Sequence, residues 1–305
     1  VTQIHKLAVK WYRKAAEQDF AEAQYNLGYM YRNGQGVTQD YKQAVKWWRK
    51  AADQGYVTAQ YNLGVLYDNG QGFTQDYKQA VKWYRKAAEQ GFASAQFNLG
   101  IIYGNGRGFT QDYKQAVKWF RKAAEQGLAI AQYNLGYMYR NGQGVTQNYK
   151  QAVKWYRKAA EQGYAKAQYN LGLIYDDGLG VSQDNKQAVK WYRKAAEQGN
   201  AKAQHVLGYM YENGHGVTQD YKEAVKWYRK AAEQGNAPAQ FNLGIIYGNG
   251  RGFTQDYVLA HMWWNIAAST GYKNATENRD IVAKRMSPSQ IEKAQDMARE
   301  WIAKH

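Results

Sequence analysis

The feature that most constrains this chain is a period of 36 residues in its sequence. The dipeptide Leu-Gly recurs with this spacing seven times, from Leu27-Gly28 to Leu243-Gly244. Tryptophan recurs with the same spacing at eight positions: Trp11, Trp47, Trp83, Trp119, Trp155, Trp191, Trp227 and Trp263. A fixed period in this range is typical of solenoids, in which each repeat buries its apolar face only against its neighbours.

Residues 75–108 contain one copy of each of two predicted helices. Asp76 and Gln79 are suited to cap the start of the first, called helix B, and Gly91 is suited to end it in a left-handed conformation. Apolar residues recur at helical spacing and give one buried face: Ala80, Val81, Trp83, Tyr84, Ala87 and Ala88. The opposite face is charged, and Arg85 and Glu89 have the spacing of an i,i+4 ion pair.

The second helix, called helix A, is predicted from about Ala93 to Asn105. Gly100 lies inside it, where glycine costs about 1 kcal/mol relative to alanine. The return of this glycine in every repeat predicts a close approach that leaves no room for a side chain. The Gly-rich turn from Asn105 to Gly108 follows, and no strand pattern occurs, so the chain is predicted to be all-α.

The repeat has a recognisable consensus, which residues 93–127 show: Ala95-Gln96-Phe97-Asn98-Leu99-Gly100, Tyr103, Gly106-Arg107-Gly108, Asp112, Ala116, Trp119, Lys122-Ala123-Ala124 and Gly127. This string resembles the Sel1-like repeat family, a relative of the tetratricopeptide repeats, although the cysteine pairs of the family's cysteine-rich branch are absent. The resemblance implies a right-handed α/α superhelical solenoid of helix–turn–helix repeats that acts as an adaptor or scaffold. It also implies a bacterial source and favours an exported protein, periplasmic or secreted, over a cytoplasmic one.

The repeat array is expected to span residues 1–271. Val1-Thr2-Gln3 matches Val37-Thr38-Gln39, so the first repeat is expected to lack its first half and about seven full repeats follow.

Residues 272–305 are predicted to cap the array. In the last helix B, three outer lysines of an ordinary copy are replaced by apolar residues: Lys42, Lys46 and Lys50 correspond to Val258, Met262 and Ile266. This new apolar stripe needs a cover. A helix near Ala275–Lys284 and a second one after Ser287-Pro288, with Gln290 as the capping-box partner, are predicted to supply it. The last helix has one apolar face: Ile291, Ala294, Met297, Ala298, Trp301 and Ile302. The alternative is a separate helix pair that binds a partner.

The candidate binding residues lie on helix A. In related helical repeats, the positions that flank Leu-Gly face a concave groove, and here they differ most between repeats. The predicted partner-binding residues are Tyr25, Tyr29, Arg32, Tyr61, Asp68, Tyr133, Tyr137, Arg140, Tyr169, Asp176, His205, Tyr209 and Glu212. Such a groove is rich in tyrosine and close to neutral, which suits a peptide or protein partner. For Tyr25, Tyr61 and Tyr133, packing between repeats is an equal alternative, whereas exposure is expected at positions 29 and 32.

The basic charge is expected elsewhere. The chain carries 41 Lys and Arg against 25 Asp and Glu, a net charge of +16. Most of the excess lies on the outer face of the helix B copies, where it either keeps the protein solvated or attracts an anionic polymer or membrane surface. The helix B aromatic residues are expected to point into the core rather than form a stacking platform, so specific nucleic-acid binding is not predicted.

The sequence shows no catalytic, metal or cofactor site. It has no cysteine, its five histidines lack metal-ligand spacing, and no serine stands in a nucleophile motif. Gly-rich turns such as Asn69 to Gly72 lack the strand and lysine of a phosphate loop, and no apolar run is long enough to span a membrane. The sequence therefore predicts a non-enzymatic scaffold that binds a peptide or protein in its groove. The alternative is an electrostatic binder of an anionic polymer or cell-envelope surface.

Overall fold

The computed structural model describes residues 2–71 and 74–305. Val1, which the sequence analysis matched to Val37, and Gly72, the last residue of the Asn69 turn, lie outside the described residues. Within the described ranges the chain forms seventeen α-helices and no strand, which confirms the all-α prediction. The chain divides into two compact units, one ending at Asn148 and the other running from Tyr149 to His305.

The first unit holds eight helices: α1 (Thr2–Glu17), α2 (Ala21–Asn33), α3 (Tyr41–Asp53), α4 (Val57–Asn69), α5 (Tyr77–Glu89), α6 (Ala93–Asn105), α7 (Tyr113–Glu125) and α8 (Ala129–Asn141). The second unit holds nine: α9 (Tyr149–Glu161), α10 (Ala165–Asp177), α11 (Asn185–Glu197), α12 (Ala201–Asn213), α13 (Tyr221–Ala232), α14 (Ala237–Asn249), α15 (Tyr257–Ser269), α16 (Lys273–Ala283) and α17 (Pro288–Lys304). Helix A copies are the even-numbered helices from α2 to α14, and helix B copies are the odd-numbered helices from α1 to α15.

The helix ends follow the predicted signals. The Asp76 side chain accepts hydrogen bonds from the backbone N–H groups of Lys78 and Gln79, which caps α5. That helix stops one residue before Gln90, and Gly91 takes a left-handed conformation with φ of +90°. At the end of α6, Gly106 has φ of +67° and its N–H donates to the Ile102 carbonyl. The helix bounds predicted for 93–105 are confirmed.

Within each unit, the tryptophan of a helix B completes the apolar cluster formed by the helix B and helix A before it. In the first unit, Ala80, Tyr84, Leu99 and Ile102 of α5 and α6 form one buried cluster, and Trp119 of α7 completes it. Full burial of a large apolar side chain stabilises the folded chain by about 1.5–3 kcal/mol. The periodic tryptophan therefore links each repeat to the preceding one, which is why it recurs.

The helical glycine of Leu-Gly lies against an aromatic ring. A Cβ on Gly100 would stand 2.5 Å from Cδ1 of Phe120, closer than real atoms approach. Five other copies repeat this contact at 2.4–2.7 Å: Gly28 with Trp48, Gly64 with Tyr84, Gly172 with Tyr192, Gly208 with Tyr228 and Gly244 with Trp264. The predicted close approach is confirmed, and its partner is a ring on the next helix B along the chain.

Side-chain hydrogen bonds repeat with the same period. Gln96, which is buried, donates from Nε2 to the Ala88 carbonyl at 3.0 Å and accepts from Gln126 at 2.7 Å. Arg85 donates to the Tyr103 hydroxyl at 2.7 Å. The predicted Arg85–Glu89 pair was wrong: in the described ranges no ion pair joins them, because the arginine binds the following helix A instead.

The final helices pack on the altered helix B. Met262 and Ile266 of α15 are buried, and α16 and α17 both contact α15. Ser287 and Gln290 form the predicted capping box at the start of α17. The ring of Trp301 lies edge-on to Trp263 with centroids 5.6 Å apart. The prediction for Ile302 was wrong: this side chain is 46% exposed, because the buried stripe runs through Ala294 and Ala298.

Two neighbouring glycines of α6 give a matched test of the close contact. Gly100→Ala places a methyl group inside the Phe120 ring and is expected to cost about 1–3 kcal/mol. Gly104→Ala places it 3.5 Å from the Ala116 Cβ, an ordinary contact, and is expected to be neutral or to stabilise by up to about 1 kcal/mol. Guanidinium unfolding followed by circular dichroism measures both. Equal midpoints for the two variants would contradict the contact.

Candidate functional site

Three tyrosines at one helix A position extend from the surface. Tyr29, Tyr137 and Tyr209 are 41%, 43% and 46% exposed, on α2, α8 and α12. Most large aromatic side chains of the chain are buried or half-buried, so these rings stand out. The other repeats carry half-buried aliphatic residues at this position: Val65, Ile101, Leu173 and Ile245. The exposure predicted for position 29 is confirmed for its tyrosines.

The tyrosines one turn earlier pack between repeats. Tyr25 is half-buried, stacks on Trp48 at 6.1 Å and lies 5.1 Å from the Tyr56 ring. Tyr61 and Tyr169 repeat the first of these contacts, with ring centroids 5.8 Å from Tyr84 and Tyr192 respectively. Tyr133 is also half-buried. The contacts of Tyr25, Tyr61 and Tyr169 hold these rings in place, and each ring remains partly exposed.

His205 replaces tyrosine at this position in α12. Its ring lies 5.7 Å from the Tyr228 ring, and its Nε2 lies 3.3 Å from Nδ2 of Asn242. Burial lowers the pKa of His205 from its ordinary value of 6.5. Burial therefore favours the neutral imidazole, which takes the place of the tyrosine ring in the packing.

Three repeats carry an acid at the position equivalent to Arg32, called position 32 below: Asp68, Asp176 and Glu212. These acids face inward. Glu212 is buried, with 8% of its surface exposed, so the exposure expected there was wrong for this residue. The Tyr228 hydroxyl donates to its Oε2 at 2.8 Å, and Arg251 donates to its Oε1 at 3.0 Å. Both carboxylate oxygens are thus held within the protein. Charge-assisted hydrogen bonds of this kind offset the cost of burying the charge.

Asp68 and Asp176 repeat this arrangement more weakly. The hydroxyls of Tyr84 and Tyr192 donate to them, each at 3.3 Å. Burial raises the pKa of both carboxyl groups, while nearby Arg107 lowers that of Asp68 and nearby His215 lowers that of Asp176. Arg32 and Arg140, the basic members of the position, are half-buried.

The sequence carried a signal for this arrangement that pattern reading missed. Each acid at position 32 is followed by tyrosine 16 residues later and by a basic residue 39 residues later. For Glu212 these are Tyr228 and Arg251. The four repeats without an acid there lack the basic residue. The variation between repeats at this position therefore reflects internal pairing as well as any ligand.

Glycine at position 32 opens a cavity in each unit, which the sequence analysis did not predict. Beside Gly104 a cavity of about 230 Å³ lies between α6, α7 and α8, and beside Gly248 one of about 190 Å³ lies between α14, α15 and α16. The first is lined by Gly100, Ile101, Gly104, Asn105, Gln111, Tyr113, Phe120, Asn134, Tyr137, Met138 and Gln143.

Lysines surround further cavities on the outer face of helix B. One of about 470 Å³ lies along α5 and is lined by Lys78, Val81, Lys82, Arg85, Lys86, Glu89 and Phe109. A similar one of about 420 Å³ lies along α9. Lys86 also covers Trp83, with Nζ 4.6 Å from the ring centre. The helix B tryptophans are buried, as expected, except for Trp11, which is 58% exposed. From α3 to α13 they lie beneath lysines, whereas Trp263 of α15 packs against Trp301.

Two further properties concern the described residues alone. Among them, no group of three His, Cys, Asp or Glu is placed to hold a metal ion. None of the helices that they form combines the length and the apolar character needed to cross a bilayer.

Comparison with known proteins identifies the repeat family to which the sequence belongs. The sequence profile of the Sel1 repeat matches eight consecutive stretches: residues 5–20, 21–56, 57–92, 93–128, 129–164, 165–200, 201–236 and 237–272. The chain belongs to the Sel1 repeat family. Its solenoid fold is typical of protein–protein interaction and is generally a non-catalytic scaffold. A search of curated proteins found no match.

Solved structures of Sel1 repeat proteins resemble the chain. A Sel1 repeat protein from Oxalobacter formigenes is 38% identical, with a TM-score of 0.74 over 88% of this chain and 78% of that one. A protective antigen of uropathogenic Escherichia coli strains, c5321, which displays the same type of fold, is 35% identical over 97% of this chain and 79% of that one, with a TM-score of 0.49. The Sel1 helix pairs seen here therefore have bacterial counterparts.

Tyrosine-to-phenylalanine substitutions measure how much the tyrosine–carboxylate hydrogen bond contributes to the stability of a Sel1 repeat. Tyr228→Phe removes the donor to buried Glu212 and is expected to destabilise the chain by about 1–3 kcal/mol. Tyr192→Phe, whose hydroxyl is farther from the partly exposed Asp176, is expected to cost less. Chemical unfolding monitored by tryptophan fluorescence compares them. If Tyr228→Phe costs no more than Tyr192→Phe, Glu212 is not held as described.

Proposed function

We propose that the chain is a non-enzymatic scaffold that binds a peptide or protein partner on the helix A surface of its units. That surface comprises the residues predicted from the sequence, now divided by their surroundings. The exposed tyrosines Tyr29, Tyr137 and Tyr209 carry the proposal, because they offer large rings and hydroxyl groups to a partner. Tyrosine provides contact area at low entropic cost and is enriched in protein interfaces.

The packing beneath supports this role. Half-buried Tyr25, Tyr61, Tyr133, Tyr169 and His205 occupy the preceding turn of their helices and form a supporting layer. A rigid support lowers the entropy that a binding surface loses when it meets its partner. The exposed rings are therefore presented by an ordered frame rather than by mobile loops.

The charge of the surface is modified by the internal pairs. Asp68, Asp176 and Glu212 are engaged by tyrosine hydroxyls, so they contribute less negative charge to a partner than their number suggests. Arg32 and Arg140 remain half-buried at the same position. A partner segment with some acidic residues beside apolar ones fits this surface best.

The tyrosines can be tested directly. The variant Tyr29→Ala/Tyr137→Ala/Tyr209→Ala is expected to keep its helicity and to lose partner capture in a pull-down by at least about tenfold, since several interface rings are removed. A control variant removes three exposed apolar side chains that lie off helix A, namely Trp11, Phe20 and Ile302, and should retain capture. Undiminished capture by the tyrosine variant would refute the proposal.

A second candidate is electrostatic binding to an anionic polymer or cell-envelope surface. The cations around the α5 cavity favour it: Lys78, Lys82, Arg85 and Lys86 face a single acid, Glu89. The equivalent cavity on α9 repeats four cations and one acid. Phe109 and Val81 add an apolar floor to the first cavity. This face is separate from the helix A surface, so the two candidates can be tested independently.

The electrostatic candidate predicts strong salt dependence. Binding to heparin, used as a polyanion probe, should weaken at least about tenfold as salt rises from about 50 to about 200 mM. The variant Lys78→Gln/Lys82→Gln/Lys150→Gln/Lys154→Gln should lower both the affinity and its salt slope. The tyrosine variant should bind heparin normally. Binding that ignores salt and the lysine variant would exclude this candidate.

A further inference from the structure

Six helix A copies end in an asparagine that is followed directly by glycine. These asparagines are Asn33, Asn69, Asn105, Asn141, Asn213 and Asn249. Asparagine in this context is prone to lose its side-chain amide, because glycine has no side chain to keep its backbone nitrogen away from the amide carbon of the preceding residue. All six residues are exposed, so water reaches them.

Three of these asparagines are held by a side-chain hydrogen bond. The Nδ2 atoms of Asn33, Asn141 and Asn213 donate to the carbonyl oxygen four residues earlier, at 3.1, 2.9 and 2.9 Å respectively. The accepting residue is in each case one of the exposed tyrosines. The bond directs the amide back along its helix, so it must break before the amide carbon can turn toward the nitrogen of the following glycine.

Asn105 and Asn249 lack this restraint. In the ranges that the structure describes, neither side-chain amide has a hydrogen-bond partner. Each also lies between two glycines, at residues 104–106 and 248–250. Glycine inside the last helical turn weakens that turn and leaves the neighbouring asparagine unshielded. These two helix ends should therefore open more easily than those of the restrained asparagines.

Cavities beside these two asparagines provide room for a reaction. Asn105 lines the cavity of about 230 Å³ at α6, and Asn249 lines the one of about 190 Å³ at α14. Either cavity admits several water molecules, since one water needs only about 10–15 Å³ of such volume. The amide can rotate there, and water can reach its carbon.

We propose that Asn105 and Asn249 are sites of spontaneous deamidation in the folded chain. The backbone nitrogen of the following glycine loses its proton to a base in solution and attacks the side-chain carbonyl carbon. A carbon–nitrogen bond forms, the bond to the amide nitrogen breaks, and ammonia leaves, which produces a five-membered succinimide. Water then opens the ring at either carbonyl carbon and yields aspartate or isoaspartate. The net reaction consumes one water and needs no oxidant.

The hydrogen bond of the glycine limits the rate in the folded chain. The Gly106 N–H donates to the Ile102 carbonyl, and the glycine after Asn249 is bound in the same way. The last helical turn must therefore open before the nitrogen can attack, a local event that costs less than global unfolding. At Asn213 the amide hydrogen bond must break as well, so this site should react more slowly.

The product is compatible with the fold and changes the charge of the helix A surface. Asp177 naturally occupies the equivalent position in α10, and Gly178 after it has φ of +68°, close to the +67° of Gly106. Deamidation at both sites lowers the net charge from +16 to +14, because two neutral amides become carboxylates. The carboxylate at position 249 would share its cavity with Arg285. The helix A surface thus becomes more negative as the protein ages.

The test follows the wild-type chain, so no variant has to fold. The full chain is kept in mildly alkaline buffer at physiological temperature, and samples are digested at intervals. Mass spectrometry with peptide fragmentation measures deamidation site by site. Asn213 is the internal control, because it also precedes glycine but is restrained. A parallel sample in guanidinium gives the rate of each site without the fold.

In the folded chain, Asn105 and Asn249 are expected to react about two- to tenfold faster than Asn213, the factor that corresponds to one net hydrogen bond. The rates should converge in guanidinium. Isoelectric focusing of the aged protein should show more acidic species that match Asn105→Asp/Asn249→Asp and are depleted in Asn105→Gln/Asn249→Gln, since glutamine would have to form a larger ring. Equal folded-state rates at the three sites, a faster rate at Asn213, or no deamidation at Asn105 and Asn249 would overturn the proposal.

Discussion

The contact between a helical glycine and an aromatic ring is the constraint on which each repeat depends. Gly100 accepts the Phe120 ring at a distance that admits no methyl group, and five other described copies do the same. The contact brings each helix A together with the helix B after it, as Gly64 does with Tyr84. The tryptophan of the following helix B then completes the apolar cluster around that ring, as Trp119 does for Tyr84. The period of 36 residues is the spacing at which these two contacts recur.

The side chain one turn after this glycine decides which surface each repeat presents. It lies above the same ring and takes three forms. An acid, as at Glu212, accepts hydrogen bonds from the hydroxyl of the tyrosine ring below it, Tyr228, and from Arg251 in the loop after the next helix A. Arginine, as at Arg140, leaves a basic, half-buried surface. Glycine, as at Gly104, leaves a cavity beside the ring, which itself stays buried. Nearly identical repeats can in this way present different surfaces on one backbone.

Most of the fold could be predicted from the sequence because the same capping, glycine and apolar positions recur in every repeat. The bounds of α6, the cap at Asp76, the crowded Gly100 and the capping box at Ser287 are all local or periodic signals. The errors concern side chains that choose between distant partners. Arg85 binds Tyr103 on the next helix rather than Glu89 on its own, and the burial of Glu212 depends on Arg251 in the following repeat. Helical spacing contains no information about such choices.

The surroundings of the candidate residues were predicted only in part. Tyr29, Tyr137 and Tyr209 are exposed, as the pattern predicted, whereas the cavities at Gly104 and Gly248 could not be recognised from glycine in the sequence alone. A cavity depends on what the neighbouring helices leave unfilled, which only packing in three dimensions reveals. The lysines of the basic outer face also have a structural role that needs no ligand, because residues such as Lys86 cover the buried tryptophans.

We propose that helix A carries the binding surface while helix B supplies the packing. Hydrogen–deuterium exchange, followed by mass spectrometry with and without a bound peptide, tests this division across the whole chain. Added protection is expected in helix A segments such as Ala129–Asn141 and Ala201–Asn213, with little change in Tyr77–Glu89 or Tyr149–Glu161. Protection confined to those two helix B segments would contradict it and place binding on the lysine face.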